Sequence, residues 1–94
     1  MDPGSEIEYD LRKQQDTLQH RGLNFNDAST VFVGKTLSMV DDRQDYGEER
    51  IITVGKLNGK VAVIVWTQRG KKRRIISMRY ANERERQRYQ EHLD

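Results

Sequence analysis

The chain of 94 residues contains no cysteine, which excludes disulfide bonds and thiolate metal ligands. Small secreted domains usually depend on disulfides, so we expect a cytoplasmic protein in a reducing compartment. No run of residues approaches the ~20 apolar positions that a membrane-spanning helix needs. We therefore expect no membrane partner.

Apolar residues are also scarce, because 34% of the chain is hydrophobic and another 34% is charged. They are concentrated in short blocks, which is typical of a small folded domain and not of a disordered chain. A chain of this length supports one domain with a modest core. We predict a single domain over residues 6–94, and we interpret residues 1–5 (MDPGS) as a flexible leader or a cloning remnant.

The first helix is predicted over residues 10–21. Asp10 can cap its first turn, and Gly22 fits its C-terminal end. Its apolar face is poor, and we expect Leu11 and Leu18 to be its main anchors.

Two further helices have similar signals. One is predicted over residues 24–33, with Asn24 as its cap and an apolar face that ends before a glycine. The other is predicted over residues 82–92, with Asn82 as its cap and Glu85 three residues on, the spacing of a capping box. This last helix is almost entirely charged, and its narrow apolar stripe begins at Tyr89.

The strands follow from blocks of Ile and Val. Residues 50–57 and 60–68 are separated by Asn58–Gly59, a pair typical of a tight hairpin turn. A second turn leads into a strand over residues 73–79, and residues 36–40 are a weaker strand. The predicted fold class is α+β, with two N-terminal helices, an antiparallel meander of three to four strands and a C-terminal helix. The helices would cover one face of the sheet and leave the other face for a ligand.

The formal net charge is only +2, but the positive charge is concentrated. Between positions 69 and 79 there is no acidic residue and there are six cations: Arg69, Lys71, Lys72, Arg73, Arg74 and Arg79. Such a segment suits the phosphates of RNA, although a solvated hairpin tip is equally consistent with charge alone.

The residue types limit the chemistry that is available. His20 and His92 belong to no ligand-spaced cluster, and the sequence has neither a glycine-rich phosphate loop nor a nucleophile elbow. We therefore expect neither a metal site nor a cofactor. Arg, Lys, Tyr, Glu and one His can still cleave RNA, since the 2′-hydroxyl of RNA is the nucleophile and arginine stabilises the charge on phosphorus.

Arg74 and Arg79 are the first candidates for this role. They are five positions apart, so a regular strand would place them on opposite faces unless a bulge intervenes or Arg79 lies past the strand end. Around the turn, Arg69 and Lys72 could bind phosphates, and Tyr80 could stack on a base or pack at the core edge.

The other candidates have equally open alternatives. His20 is either a catalytic base or a histidine that interacts with the end of its helix. Glu48 and Arg50 are either a structural pair or site residues.

Several motif blocks resemble the BrnT toxins, the toxin half of BrnT–BrnA toxin–antitoxin systems, from about Ile7 to Tyr89. They are Asp10 and Lys13; Gly22-Leu23, Phe25 and Ala28; Gly47-Glu48, Arg50 and Gly55; Val65 and Thr67; Arg74-Ile75-Ile76-Ser77, Arg79 and Ala81; and Glu85 with Tyr89. The resemblance implies a RelE-like ribonuclease fold, RNA cleavage and arrest of translation. It also implies neutralisation by BrnA, a ribbon–helix–helix antitoxin, in a complex that binds promoter DNA.

The resemblance assigns the strongest suspicion to Arg74 and Arg79, and includes Glu48, Arg50 and Tyr89 as candidate site residues. A binding module that holds RNA without cutting it is the alternative. A face that mainly docks an acidic antitoxin segment is a third hypothesis, and it can coexist with the first.

Overall fold

The computed structural model describes residues 6–93, so the predicted leader at residues 1–5 lies outside the described residues. The structure is of the mixed α+β class, as predicted. The strands are β1 (Ile7–Tyr9), β2 (Thr36–Val40), β3 (Ile51–Leu57), β4 (Lys60–Arg69) and β5 (Lys72–Tyr80). The helices are α1 (Leu11–Arg21), α2 (Ala28–Val33) and α3 (Glu83–Leu93).

The strands form one sheet in the order β1-β5-β4-β3-β2. From β2 to β5 it is the predicted antiparallel meander, and the turn between β3 and β4 has positive φ at both Asn58 (55°) and Gly59 (77°). β1 is an additional edge strand that pairs in parallel with β5. The expectation of three to four strands was therefore wrong, because a three-residue strand paired with a distant segment leaves no local periodicity.

The N-terminus of α1 is capped as predicted, but the residues that anchor this helix to the core differ from the prediction. Asp10 Oδ1 accepts a hydrogen bond from the Lys13 backbone N–H at 3.1 Å, and this bond lowers the pKa of Asp10. The expected anchors Leu11 and Leu18 are 65% and 48% exposed. Gln14 is buried instead, and its side-chain Oε1 accepts from the Phe25 backbone N–H at 2.6 Å.

The segment predicted as one helix over residues 24–33 is divided. A 3₁₀ turn (Phe25–Asp27) comes first and α2 follows, so the number of helical elements differs from the prediction. The carboxamide oxygen of Asn24 accepts from the Asn26 backbone N–H at 2.9 Å. This Asx-type contact favours a tight turn over the first turn of a regular α-helix. Phe25, in this turn, is fully buried.

β4 is the central strand and has a core on each side. Ala62 and Ile64 pack toward α2 and the 3₁₀ turn on what we call the α1/α2 face. Val61 and Val63 pack with Leu93 on what we call the α3 face. α3 contacts β2, β3 and β4 on this second face, so the expectation that the helices would cover only one face of the sheet was wrong.

The α1/α2 face also contains a close approach of helix to sheet. A Cβ added at Gly55 would lie 2.6 Å from Val31 Cγ1 and 3.0 Å from Thr36 Cγ2. Glycine on β3 thus lets α2 pack directly on the strand. Among residues 6–93, no helix is long and apolar enough to cross a membrane.

Candidate functional site

A β-bulge in β5 brings the two leading candidates to one face of the sheet. Val65 pairs with Ser77 whereas Trp66 pairs with Ile75, so Ile76 is an extra residue on β5. As a result Arg79 lies opposite Val63 and Arg74 opposite Thr67. Those two β4 positions share the α3 face, with about 13 Å between them along the strand.

A cleft, which we call the arginine cleft, lies on the α3 face beside α3. Its floor consists of apolar residues of β3 and β4: Ile52, Val54, Val63 and Val65. Its other lining residues are Arg21, Met39, Arg43, Ser77, Arg79, Glu85 and Tyr89. Its volume of about 240 Å³ is below the ~300–1,000 Å³ of whole-ligand pockets. The cleft therefore fits one part of a larger ligand that extends across the surface.

Arg79 is held in the cleft by a carboxylate. Its Nη1 and Nη2 donate to Glu85 Oε1 and Oε2 at 2.7 and 2.8 Å. Glu85 Oε1 also accepts from the Asn82 backbone N–H at 3.0 Å, and Asn82 Oδ1 accepts from the Glu85 backbone N–H at 2.9 Å, which is the predicted capping box of α3. The hydrogen bonds from Arg79 lower the pKa of Glu85 to about 2, and the same pair raises the pKa of Arg79.

Arg43 enters the cleft from the loop between β2 and β3. Asp41 accepts from Arg43 Nε and Nη2, both at 2.7 Å, and from the Tyr46 hydroxyl at 3.2 Å. The Asp41 side chain is 1% exposed, and the bonds from Arg43 lower its pKa to about 2. Sequence patterns alone did not identify Arg43, since it is the one cation in a run that reads as a solvated acidic loop.

Tyr46 connects this loop to a second cluster of candidates. Arg50 lies over the Tyr46 ring, with its guanidinium carbon 4.1 Å from the centroid. Glu48 Oε1 is 3.9 Å from Arg50 Nη2, and Glu48 Oε2 is 3.6 Å from Arg69 Nη2. Glu48 and Arg50 thus form a loose ion pair at the far end of the α3 face, and both of their predicted roles, structural pair and site residues, stay predictions. Arg50 Nε is buried and has no hydrogen-bond partner among residues 6–93.

Arg74 lies between this cluster and the edge of the sheet. It pairs across the β1–β5 ladder with Glu8, and its Nη1 is 3.9 Å from Glu8 Oε1. Arg74 shares the face of Arg79 but does not line the arginine cleft.

Two predicted RNA-binding residues point the other way. Arg73 stacks on Phe32 and Trp66, with its guanidinium carbon 4.1 and 5.1 Å from the ring centroids. Tyr80 packs against the core of the α1/α2 face. The structure therefore does not bring Arg73 and Tyr80 together with Arg79. Lys72 begins β5 and Lys71 precedes it in the turn, both exposed.

A shallow groove, which we call the α1 groove, continues from the arginine cleft over the edge of β5. It is lined by Lys13, Asp16, Thr17, His20, Arg21, Ile76 and Ser77. Arg21 and Ser77 line both depressions, and Arg21 Nη1 donates to the Met78 carbonyl at 3.1 Å. His20 Nδ1 is 2.9 Å from the Asp16 carbonyl, an acceptor only, so Nδ1 is the donor and a neutral ring keeps its lone pair on Nε2.

Of the predicted site residues, Arg79 and Tyr89 meet in the cleft and His20 lies in the adjoining groove. Arg21 also lines the cleft but was not among the predicted site residues, since a cation in the last turn of a helix is common. Among residues 6–93, no group of three or more His, Asp or Glu side chains is placed to hold a metal ion.

Comparison with known protein families gives a match. Residues 9–85 match the sequence model of a family described as the ribonuclease toxin, BrnT, of type II toxin-antitoxin systems. The matched span runs from β1 to Glu85 in α3 and so includes most of the arginine cleft. The search of curated proteins finds no match.

Proposed function

Because this chain belongs to the BrnT family of ribonuclease toxins of type II toxin–antitoxin systems, we propose that it cleaves RNA as an endoribonuclease and thereby inhibits translation. We further propose that the reaction needs no metal ion and that the fold is RelE-like. We place the reaction in the arginine cleft. The observation that carries this placement is the convergence of Arg21, Arg43 and Arg79 around one apolar-floored depression. Guanidinium groups match the geometry and charge of a phosphate, and they act most strongly where water is partly excluded.

The proposed reaction is attack of the RNA 2′-oxygen on the adjacent phosphorus. The new P–O bond forms as the bond to the 5′-oxygen of the next nucleotide breaks, which leaves a 2′,3′-cyclic phosphate. Arg79 would stabilise the negative charge on the non-bridging oxygens. Its Nε–H and one N–H of Nη2 are still available as donors, because the hydrogen bonds to Glu85 and to the Tyr80 carbonyl use the other three N–H groups. Arg74 would bind a neighbouring phosphate on the same face.

Proton transfer needs a group that is not permanently ionised at neutral pH. Glu85 is a poor base, because its pKa of about 2 keeps it ionised and weakly basic. We assign removal of the 2′-hydroxyl proton to His20, whose Nε2 is the free proton acceptor of the α1 groove, and the leaving 5′-oxygen takes up a proton from solvent. Tyr89 would offer its ring to a base, as aromatic side chains do in single-stranded RNA sites.

The cognate partner of a type II toxin is an antitoxin, and the target of a ribonuclease toxin is RNA. We propose a BrnA-like ribbon–helix–helix antitoxin that covers the arginine cleft with acidic side chains, in a complex that binds promoter DNA. Two arginines of the cleft already bind carboxylates of this chain, Arg43 that of Asp41 and Arg79 that of Glu85, so both have the geometry to bind an acidic side chain.

The same carboxylates favour the second candidate function, a module that docks RNA or an antitoxin without cleavage. Arg43 and Arg79 are each bound by a carboxylate, so less of their charge is available to stabilise a transition state.

Cleavage of RNA in EDTA by purified, antitoxin-free protein separates the two functions. Arg79→Ala and Arg74→Ala should lose activity, whereas Arg12→Ala, which replaces an arginine on the exposed side of α1, should not. The products should carry 2′,3′-cyclic phosphate ends. Intact RNA after incubation with folded protein and ribosomes would overturn the enzymatic assignment, and a requirement for added metal would overturn the proposed mechanism.

A further inference from the structure

We propose that the α1 groove is a second phosphate-binding site, in which Lys13 and Arg21 bind the RNA backbone next to the nucleotide held in the arginine cleft. The inference rests on the proposed function only for the identity of the ligand as RNA. Its geometric basis is the continuity of the two depressions, which share Arg21 and Ser77.

The edge of β5 allows a ligand to pass from one depression to the other. β1 pairs with β5 from Arg73 to Ile75 and no further, and within residues 6–93 no other strand pairs with this edge. Arg21 crosses the open edge and donates to the Met78 carbonyl at 3.1 Å. The bulge residue Ile76 lines the groove, so the irregularity that aligns Arg74 with Arg79 also shapes this passage.

The charges of the groove differ from those of the cleft. Arg43 and Arg79 are each bound to a carboxylate at 2.7 Å. Lys13 and Arg21, in contrast, have no carboxylate oxygen within 4.0 Å among the described residues. A phosphate can bind these two cations without displacing an internal anion, and the hydroxyls of Thr17 and Ser77 are additional donors.

Asp16 is the opposing charge in the groove. Its carboxylate should repel a phosphate that binds beside Lys13, so its removal should strengthen RNA binding. A structural role of the groove alone would not produce opposite effects of Lys13→Ala and Asp16→Asn on RNA affinity.

The test is RNA binding as a function of salt. The probe is a fluorescein-labelled 2′-O-methyl octauridylate, which lacks the attacking hydroxyl, and anisotropy is measured from about 50 to 200 mM salt. Each phosphate contact on a single strand contributes about 0.7 to the slope of log K against log salt. We expect Lys13→Ala and Arg21→Gln each to lower the slope by about that amount, and Asp16→Asn to tighten binding.

Arg12→Ala is the matched control, because Arg12 is the neighbour of Lys13 on α1, has the same charge and lies outside the groove. Equal slopes for Lys13→Ala and Arg12→Ala, or no binding by the wild type at the lowest salt, would overturn the second site. Lys13→Ala decides the matter, since Arg21→Gln also removes a structural hydrogen bond and must first be shown to melt like the wild type.

The cleavage assay with unmodified RNA keeps the two claims apart. A wild type that binds the probe with the expected slopes but leaves RNA intact would overturn the nuclease and support the groove. A wild type that cleaves RNA while Lys13→Ala and Arg12→Ala behave alike would overturn the groove and support the nuclease.

Discussion

Arg79 and Glu85 form a bidentate ion pair that joins β5 to the first turn of α3. The distance is 2.7 Å from Nη1 to Oε1 and 2.8 Å from Nη2 to Oε2. The same carboxylate accepts from the backbone N–H of Asn82. One side chain therefore both orients a cleft arginine and caps the helix beside the cleft. Docking of α3 and the position of Arg79 are coupled through it.

We expect Glu85→Gln to lower the free energy of unfolding at neutral pH by about 1–2 kcal/mol, a value reduced for solvent screening of a partly exposed pair. Hydrogen bonds from Arg79 lower the pKa of Glu85 from 4.5 to about 2 on folding. Stabilisation by the carboxylate is therefore complete above the unfolded-state pKa and is lost as the pH falls through that of the folded state.

Urea unfolding of wild type and Glu85→Gln at a series of pH values checks this. The difference in unfolding free energy should be constant above a pH of about 5 and shrink between about 4.5 and 2. A difference that stays the same at about pH 3 would contradict a stabilising role for the ionised carboxylate.

The elements that could be predicted have local signals. The β3–β4 hairpin followed from Asn58–Gly59 between two Ile/Val blocks, and the start of α3 from the spacing of Asn82 and Glu85. These contacts join residues close in sequence, so the pattern contains both partners.

The features that were missed depend either on distant partners or on a loop whose polar sequence does not show how it folds. The burial of Asp41 depends on Arg43 and Tyr46 folding back within a loop, and pairing of β1 with β5 joins opposite ends of the chain. The bulge at Ile76 was foreseen only as one of two ways to align Arg74 with Arg79, because a run of Ile-Ile-Ser-Met does not show which residue is unpaired.

Arg73 and Arg74 are adjacent on β5 but should have separate effects. Arg73 stacks on Phe32 and Trp66 on the α1/α2 face, so Arg73→Ala should cost about 1 kcal/mol of stability and leave RNA cleavage unchanged. Arg74→Ala should leave stability nearly unchanged and abolish cleavage, because the one ion pair of Arg74 within residues 6–93 is a long one, at 3.9 Å to Glu8.

Urea unfolding and cleavage assays on the two variants test this separation. Both variants remove one positive charge from neighbouring positions, so each is the control of the other for general electrostatics. Equal losses of cleavage in the two variants would mean that RNA cleavage depends on the total positive charge near the hairpin and not on the face of the sheet that carries it.

Gly55→Ala should destabilise the protein by about 1–3 kcal/mol, the range for overpacking a core. The added methyl group would lie 2.6 Å from Val31 Cγ1, closer than carbon atoms approach. In a Val31→Ala background that methyl carbon is absent, so the same substitution should cost clearly less. Thermal unfolding of the two single variants and the double variant gives the coupling energy, and additive effects would place the strain elsewhere.

Arg79→Lys tests whether the planar fork of Arg79, and not only its charge, is needed for cleavage. Lysine keeps a cation beside Glu85 and so should retain the fold, but it cannot bind a carboxylate and a phosphate in parallel geometry. We expect kcat/KM for RNA to fall by about 10²–10³-fold, the loss typical of one transition-state donor. The control is Arg84→Lys, since Arg84 is exposed on α3 and lies outside the arginine cleft. Cleavage by Arg79→Lys within a few-fold of the control would show that Arg79 acts only through its charge. Bidentate binding of the phosphate would then have to come from Arg21 or Arg43.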